Sequence, residues 1–480
     1  MESGAATARL DGPGSGARTL WLVPVIIVLA GALGIALYLN PPPSGGVVLA
    51  AGLGTTGVIA LAIARYEKAA LLGFALLGIV LVQPAPPDFV LLIVIAIAAV
   101  TGRVYLSRVR PVIGLLLAIF VSLNLISLLE VRDLGRAALF LGITLYLVAF
   151  AVWLCSFVNS GNRARIVLLG YVFAATTAAL IGLAGVALPV PFRGQIYYNE
   201  RAQAFFEDAN VFGPFLVPAA AIMLQETIEP RLIRLRPAFK LLIVGILLGG
   251  VLFSFSRGAW INAVVAIVVV FAVTAIRRGG ARRAGRLLAG ILIAGGLLLA
   301  IFTAIGSVKF LDERAAVQQY DTERFSAQRT GIDLATQNPL GIGPGQFEVV
   351  SPLSTHSIYV RVLAEQGLLG FMVTVALLLV TLLLAIQNAL AGRSTYGIGS
   401  AALLGAWSGM LVNSLVVDTA HWRHLWLIAA LIWVGSMSYA RPGRPPAMQQ
   451  AALPLPEPSD GDGANGARSS DRTTPRPARR

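Results

Sequence analysis

The sequence predicts an all-α polytopic integral membrane protein, a helical bundle of about 12–14 transmembrane helices with one large, partly helical external loop. Three observations lead there. Hydrophobic residues make up 57% of the chain and charged residues only 12%, against about 25% charged in a soluble domain. Apolar runs of about 17–25 residues recur along most of the 480 residues, each long enough to cross about 30 Å of hydrocarbon. Helices are the expected form, because an isolated strand in lipid leaves its backbone groups unpaired.

The runs fall near 20–38, 46–64, 68–84, 87–101, 111–128, 136–158, 164–187, 209–226, 237–256, 258–276, 286–306, 358–388, 398–417 and 423–440. The third and fourth are short and separated only by QPAPPD, so this pair reads as two crossings or as a re-entrant pair that brings the total nearer twelve. Residues 1–19 are expected to be a disordered cytoplasmic leader before an uncleaved signal anchor. The N-terminal part of the bundle then covers 20–306, the large external loop 307–356, and the C-terminal part 357–440. Residues 441–480, rich in Pro, Gly, Ser, Ala and Arg, cannot bury a core and read as a disordered cytoplasmic tail.

Assigning alternate loops to opposite sides tests this count. One side collects RYEK, RVYLSRVR, NRAR, RLIRLRPAFK, RRGGARRAGR and both termini, roughly 26 of the 37 Lys and Arg, and basic residues accumulate in cytoplasmic loops. Both termini are therefore expected in the cytoplasm. The formal charge of +14 is spread over loops instead of clustered on one soluble face, which argues for membrane orientation and against nucleic acid. A single cysteine, Cys155, rules out an intrachain disulfide and a cysteine-rich metal site.

The outer side holds two loops of substance, about 188–208 and about 307–356. In the second, the stretch from about Asp312 to Thr336 has helical character, and NPLGIGPGQF ends it with turn residues. Six arginines, Arg193, Arg201, Arg257, Arg324, Arg329 and Arg361, fall on this side, where arginine is scarce. Arg257 is the sharpest case, at a hairpin tip between two apolar spans in FSFSRGAWI. Two readings stand: each guanidinium pairs with a local carboxylate or a lipid phosphate, or several converge on an anionic ligand, which suits a planar fork that stays charged.

In THSIYVRVLAEQGLLGF, Thr355 or Ser354 is expected to cap a helix, which puts His356 in its first turn. The positive end of the dipole and nearby arginines then keep the imidazole neutral and able to accept a proton. Helical spacing aligns His356, Tyr359, Leu363, Gly367 and Gly370, and pairs Arg361 with Glu365. A histidine that simply packs at the membrane interface is the alternative. GIGPGQ has the look of a phosphate-binding glycine loop but lacks the strand before and the helix after it, and reads as a turn. DTAHWRH brings Asp418, His421 and His424 together in sequence, which reads as interfacial residues sooner than as a metal cluster.

THSIYVRVLAEQGLLG, FSFSRGAW, ERAQAFFEDANVFG and NPLGIGPGQF, in this order and setting, resemble the O-antigen ligase and O-antigen polymerase superfamily, with the similarity concentrated in about residues 195–375. The resemblance implies a membrane-embedded, metal-independent glycosyltransferase without a cofactor. Its donor would be a glycan on undecaprenyl diphosphate and its acceptor a hydroxyl of a lipid or another glycan, with the active site on the periplasmic or extracellular face of the cytoplasmic membrane. It makes His356 the catalytic residue and Arg201, Arg257, Arg324 and Arg329 the diphosphate-binding residues, with Asp208, Asn210, Tyr359 and Arg361 as further site members. Glu207 and Asp208 compete with His356 as the base. Inversion follows if the acceptor attacks opposite the leaving group. Ligase and polymerase remain alternatives. A lipid-linked oligosaccharide flippase is the rival outside catalysis, but transporters carry repeated halves with polar residues at mid-membrane, and here the polar residues gather at one face.

Overall fold

A computed structural model describes residues 45–80, 85–189, 193–277 and 319–438, with a few isolated positions between 282 and 289. The expected leader, the spans at 20–38 and 286–306, the first part of the large loop and the tail lie outside the described residues. The other twelve expected spans each fall on a helix.

In chain order these are α1 (Gly45–Ala64), α2 (Tyr66–Ala75), α3 (Pro86–Val100), α4 (Pro111–Ile126), α5 (Leu134–Phe157), α6 (Gly161–Ala187), α7 (Ala209–Ile228), α8 (Pro237–Phe253) and α9 (Arg257–Ile276). After the loop helix α10 (Gln319–Gln337) come α11 (Ile358–Leu390), α12 (Ser400–Asn413) and α13 (Arg423–Ser438). Among the described residues, six segments are long and apolar enough to cross a membrane, Pro111–Glu130, Leu134–Phe157, Gly161–Ala187, Ala209–Ile228, Arg257–Ile276 and Ile358–Leu390. The protein is therefore a polytopic helical membrane protein. Strands among the described residues form only two short hairpins, β1 (Tyr197–Tyr198) with β2 (Arg201–Ala202) and β3 (Ser394–Thr395) with β4 (Ile398–Gly399).

Of the two readings of the short pair, α2 fits a partial crossing. Its 10 residues rise only about 15 Å. The chain then turns, and Val80 bridges to Phe206, its N–H donating to the Phe205 carbonyl at 2.8 Å.

The core runs along α7, in which every residue from Phe212 to Ile228 is buried despite Pro214 and Pro218 inside the helix. Lipid offers no hydrophobic drive between helices, so close backbone approach through small residues supplies much of the packing. α9 and α12 meet this way: a Cβ on Gly409 would lie 2.5 Å from the Asn262 carbonyl, and one on Gly405 2.5 Å from that of Ala266. Far from the two long loops, buried Lys240 donates to the Glu226 carbonyl at 2.8 Å, while the Glu226 carboxylate accepts the N–H groups of Arg231, Leu232 and Ile233. Arg277 there donates to the Ala389 carbonyl and to Ser400 Oγ. Both clusters close that end of the bundle on itself, and the expected site residues gather at the other.

Candidate functional site

Five segments remote in sequence build this end. The first is the β1–β2 hairpin, where Tyr198 pairs with Arg201 across Asn199 and Glu200, both left-handed at φ 47° and 60°. That is the two-residue turn whose twist matches the strands. It aims Arg201 inward. Its Nε donates to the Ser254 carbonyl at 2.9 Å and its guanidinium to Asn210 Oδ1 at 2.7 Å. Asp208 caps α7 by accepting from the Asn210 N–H at 2.8 Å, and its other oxygen accepts from Asn210 Nδ2. Asn210 is thus held in one orientation between an acid and a guanidinium.

The second segment is the turn between α8 and α9. Ser254 is fully buried, Phe255 is left-handed at φ 47°, and Ser256 caps α9 by accepting from the Ala259 N–H. Arg257 follows as the first helical residue, one position past the cap.

α10 is the third. It lies on the start of α11 through Ala327 and Gly331, where a Cβ on Gly331 would meet Val360 at 2.6 Å. Arg324 shares that face, at i−3 from Ala327, and its charge reaches His356. Arg329 is exposed and off that face.

Residues 354–361 form the fourth segment, and here the expected cap is corrected. Ser357, not Thr355 or Ser354, stands at the N-cap position, without a side-chain cap, and the helix begins at Ile358. His356 therefore precedes the helix and lies outside its first turn, half-buried and left-handed at φ 47°. A bulky residue held there stores strain that the surroundings must override. Thr355 Oγ1 donates to the Ser357 carbonyl, Ile358 N–H to the Ser414 carbonyl, and Tyr359 OH to the Leu411 carbonyl at 3.1 Å. Burial pushes the His356 imidazole below its ordinary range and Arg324 adds to it, while Asp208 and Asp418 pull the other way and Arg361 sides with Arg324. The expected neutral ring holds, with burial as its main cause.

Arg361 lies near the start of α11. It is buried, and Glu348, Glu365 and Asp418 all close on it, with Glu365 Oε1 at 3.0 Å and Ser354 Oγ at 3.0 Å. Its donors go to carboxylates, so it anchors the loop before His356. Arg193 donates to the Gly185 carbonyl and stacks on Tyr197. Of these six arginines, Arg324 and, through Asn210 and Asp208, Arg201 belong to the surroundings of His356; Arg257 precedes Gly258, which packs beside Asn413 and Val416; Arg193 and Arg361 make the local contacts above; and Arg329 is exposed.

The expected turn GIGPGQ has a partner that the sequence did not reveal. α11 is broken at Gly367, with φ 69° and ψ −172°. The glycine loop fills the break: Ile342 N–H donates to the Ala364 carbonyl and Gly343 N–H to that of Glu365, at 3.0 and 2.9 Å. The Glu365 carboxylate accepts the N–H groups of Gly345 and Phe347. The N–H groups of the loop do close on a carboxyl group, that of the internal Glu365. A cavity of about 50 Å³ opens beside it, lined in part by Asn124, Thr144, Glu365, Gln366, Thr374 and His421, room for a few waters at about 10–15 Å³ each.

In the fifth segment, between α12 and α13, the residues of DTAHWRH separate. Asp418 joins Arg361, His421 Nε2 sits 3.1 Å from Thr144 Oγ1, and His424 stacks on Trp422 and meets the edge of Phe215. Burial pushes the His421 imidazole down to about 4. Arg423 pairs with Asp88 at the start of α3.

Sequence reasoning missed Glu348, Phe255 and the Glu365 clasp. The i,i+4 pairing of Arg361 with Glu365 was its only signal for the last; the rest are tertiary. No curated protein matches the chain. Residues 242–375, a stretch that contains Arg257, Arg324, His356 and Glu365, match the family model described as O-antigen ligase, which supports the resemblance to the O-antigen ligase and polymerase superfamily.

Proposed function

We propose that the protein transfers a glycan from an undecaprenyl-diphosphate carrier to an acceptor hydroxyl of a lipid or another glycan, as an O-antigen ligase does. The site would lie on the outer face of the cytoplasmic membrane, with both termini in the cytoplasm. One observation carries the reading: His356 sits half-buried in a strained backbone, near Arg324 and Asp208, and Arg201 on the β1–β2 hairpin donates to Asn210, which in turn donates to Asp208.

In the reaction, the neutral imidazole of His356 takes the proton of the acceptor hydroxyl. The acceptor oxygen forms a bond to the anomeric carbon as the bond from that carbon to the diphosphate oxygen breaks. The electron pair leaves with the lipid diphosphate. Attack opposite the leaving group inverts the anomeric centre. Arg201, Arg257 and Arg324 supply fixed positive charge where the diphosphate gains negative charge, and preorganised charge of this kind is the largest single contribution in many enzymes. Guanidinium groups bind phosphate oxygens in pairs, so the step needs no metal ion or cofactor. Asp208 orients Asn210 and, through it, Arg201. Tyr359 and Arg361 support the backbone that carries His356. Arg329, exposed on α10, has no part in this reading.

The test is reconstitution of the purified protein with a radiolabelled undecaprenyl-diphosphate glycan and candidate acceptors, in the presence of chelator. Labelled product and released lipid diphosphate are expected, and both should vanish in His356→Ala and Arg257→Ala variants that still insert and fold. Full activity in either variant would overturn the assignment.

A further inference from the structure

α10 has an outer flank that neither the bundle nor the proposed reaction uses. Its packed face presents Arg324, Ala327, Gln328, Gly331, Leu334 and Ala335 to the protein. The exposed surface divides in two. On the Gln328 side, Phe325, Arg329, Ile332 and Thr336 fall within a sector of about 60°, and Phe325 and Ile332 are 54% and 47% exposed. The opposite flank carries Glu323, Ser326, Thr330, Asp333 and Gln337, all polar and exposed. Scattered exposed apolar residues are ordinary. Here they are sorted to one side of a helix that is otherwise polar.

What that side faces is fixed by Gln328. It lies between Phe325 and Ile332 on the helix surface, at i+3 from one and i−4 from the other, and its Nε2 reaches the Leu415 carbonyl at 3.4 Å. Leu415 and Val416, 55% and 39% exposed, follow Ser414, the C-cap of α12, a helix that is buried except near its end. Val416 in turn lies 3.4 Å from the position a Cβ on Gly258 would take, one residue past Arg257. The four apolar side chains thus gather at the Arg257 end of α9, a span whose Ile261, Val264 and Val268 are 51%, 61% and 57% exposed, with a guanidinium among them.

We infer that this flank of α10 is seated in the bilayer surface, with Phe325 and Ile332 inserted below the head groups and Arg329 paired with lipid phosphate. An amphipathic helix with apolar residues on one side and basic charge at its rim binds the interface in this way. The occupant is phospholipid, because the strip is continuous with the end of a membrane span and its one exposed charge is cationic. The seat also sets the depth of Arg324, the neighbour of Phe325 that points the other way, at the level of phosphate. The inference rests on the membrane fold alone and stands or falls apart from the transferase reading.

The test uses the full chain in vesicles of phosphatidylethanolamine and phosphatidylglycerol. Cys155 is buried, so single variants Phe325→Cys, Ile332→Cys, Ser326→Cys and Asp333→Cys take an environment-sensitive nitrobenzoxadiazole label at one place each. Spin-labelled lipid should quench positions 325 and 332 several-fold more strongly than 326 and 333, and aqueous iodide should show the reverse order. Equal iodide quenching at 325 and 326 overturns the inference by placing the flank in water. Protection of 325 and 332 from both quenchers overturns it in favour of a protein contact. The two apolar positions are separate variants, so misfolding of one leaves the other to decide.

Discussion

Gly367→Ala separates a broken helix from a straight one by the sign of its effect. In a continuous helix, replacing glycine by alanine stabilises by roughly 0.5–1 kcal/mol. In this protein Gly367 has φ 69° and ψ −172°, a region open essentially to glycine alone, where strain amounts to about 1–3 kcal/mol. A Cβ there would stand 2.0 Å from the Pro339 carbonyl and 2.9 Å from the Gly341 N–H, so the glycine loop must withdraw. Withdrawal breaks the hydrogen bonds from Ile342 and Gly343 to the Ala364 and Glu365 carbonyls, worth about 0.5–1.5 kcal/mol each. Together the loss is about 2–6 kcal/mol. The assay is thermal unfolding of the purified protein in detergent, beside Gly142→Ala as a control, since a Cβ at that helical glycine meets nothing within 4 Å. The expected result is a clearly lowered Tm for Gly367→Ala and an unchanged or raised one for Gly142→Ala. A raised Tm for both would refute the break and the clasp built on it.

Three further outcomes follow from the same geometry. His356 acts only as the neutral ring, so transfer should fall away as pH drops through its folded-state pKa, which lies below the ordinary 6.5. Arg324→Ala removes a cation that lowers that pKa and should move the acid limb of the pH profile upward, whereas Asp208→Asn removes an anion that raises it and should move the limb down; movement in the opposite senses excludes His356 as the group observed. Arg361→Met leaves Glu348, Glu365 and Asp418 without their shared cation and should lower stability by about 3–5 kcal/mol at neutral pH, with part of the loss recovered as acid protonates the carboxylates. A Tm equal to wild type at pH 7 would count against the cluster. Thr330→Cys on α10 should react with an impermeant thiol reagent in whole cells or spheroplasts, and Arg234→Cys at the other end of the bundle should not.

The spans were legible in the sequence because lipid solvates only apolar side chains, and a run such as 136–158 announces its own length. Helical pairing within one element was equally plain, and Arg361 with Glu365 appears as expected at 3.0 Å. What the sequence did not disclose was where partners from other segments arrive. Arg361 looked like one more external guanidinium until Glu348 and Asp418 closed on it. Arg324 and Arg329 were equivalent as letters, and only the packing of Ala327 and Gly331 on α11 decides that one turns inward and the other out. The cap was misjudged for a related reason: Thr355 is a good capping residue, but its hydroxyl donates to the Ser357 carbonyl.

The polar residues that open α11 divide their work by depth. Glu365 and Arg361 are spent on the fold, one holding the glycine loop in the helix break and the other holding three carboxylates from three segments. Such a cluster is a poor source of stability, since burying charges costs about as much as their attraction returns. Its use lies in fixing geometry. Arg361 donates to Ser354 Oγ, two residues before a histidine whose backbone sits in a strained region, and Glu348 ties the same guanidinium to Arg136 on α5. A left-handed His356 persists only where its neighbours leave it no alternative, and these contacts supply that constraint from both sides of the loop. If His356→Gly kept the fold and raised Tm while abolishing transfer, the strain would be assigned to function; a lowered Tm would assign it to the fold alone.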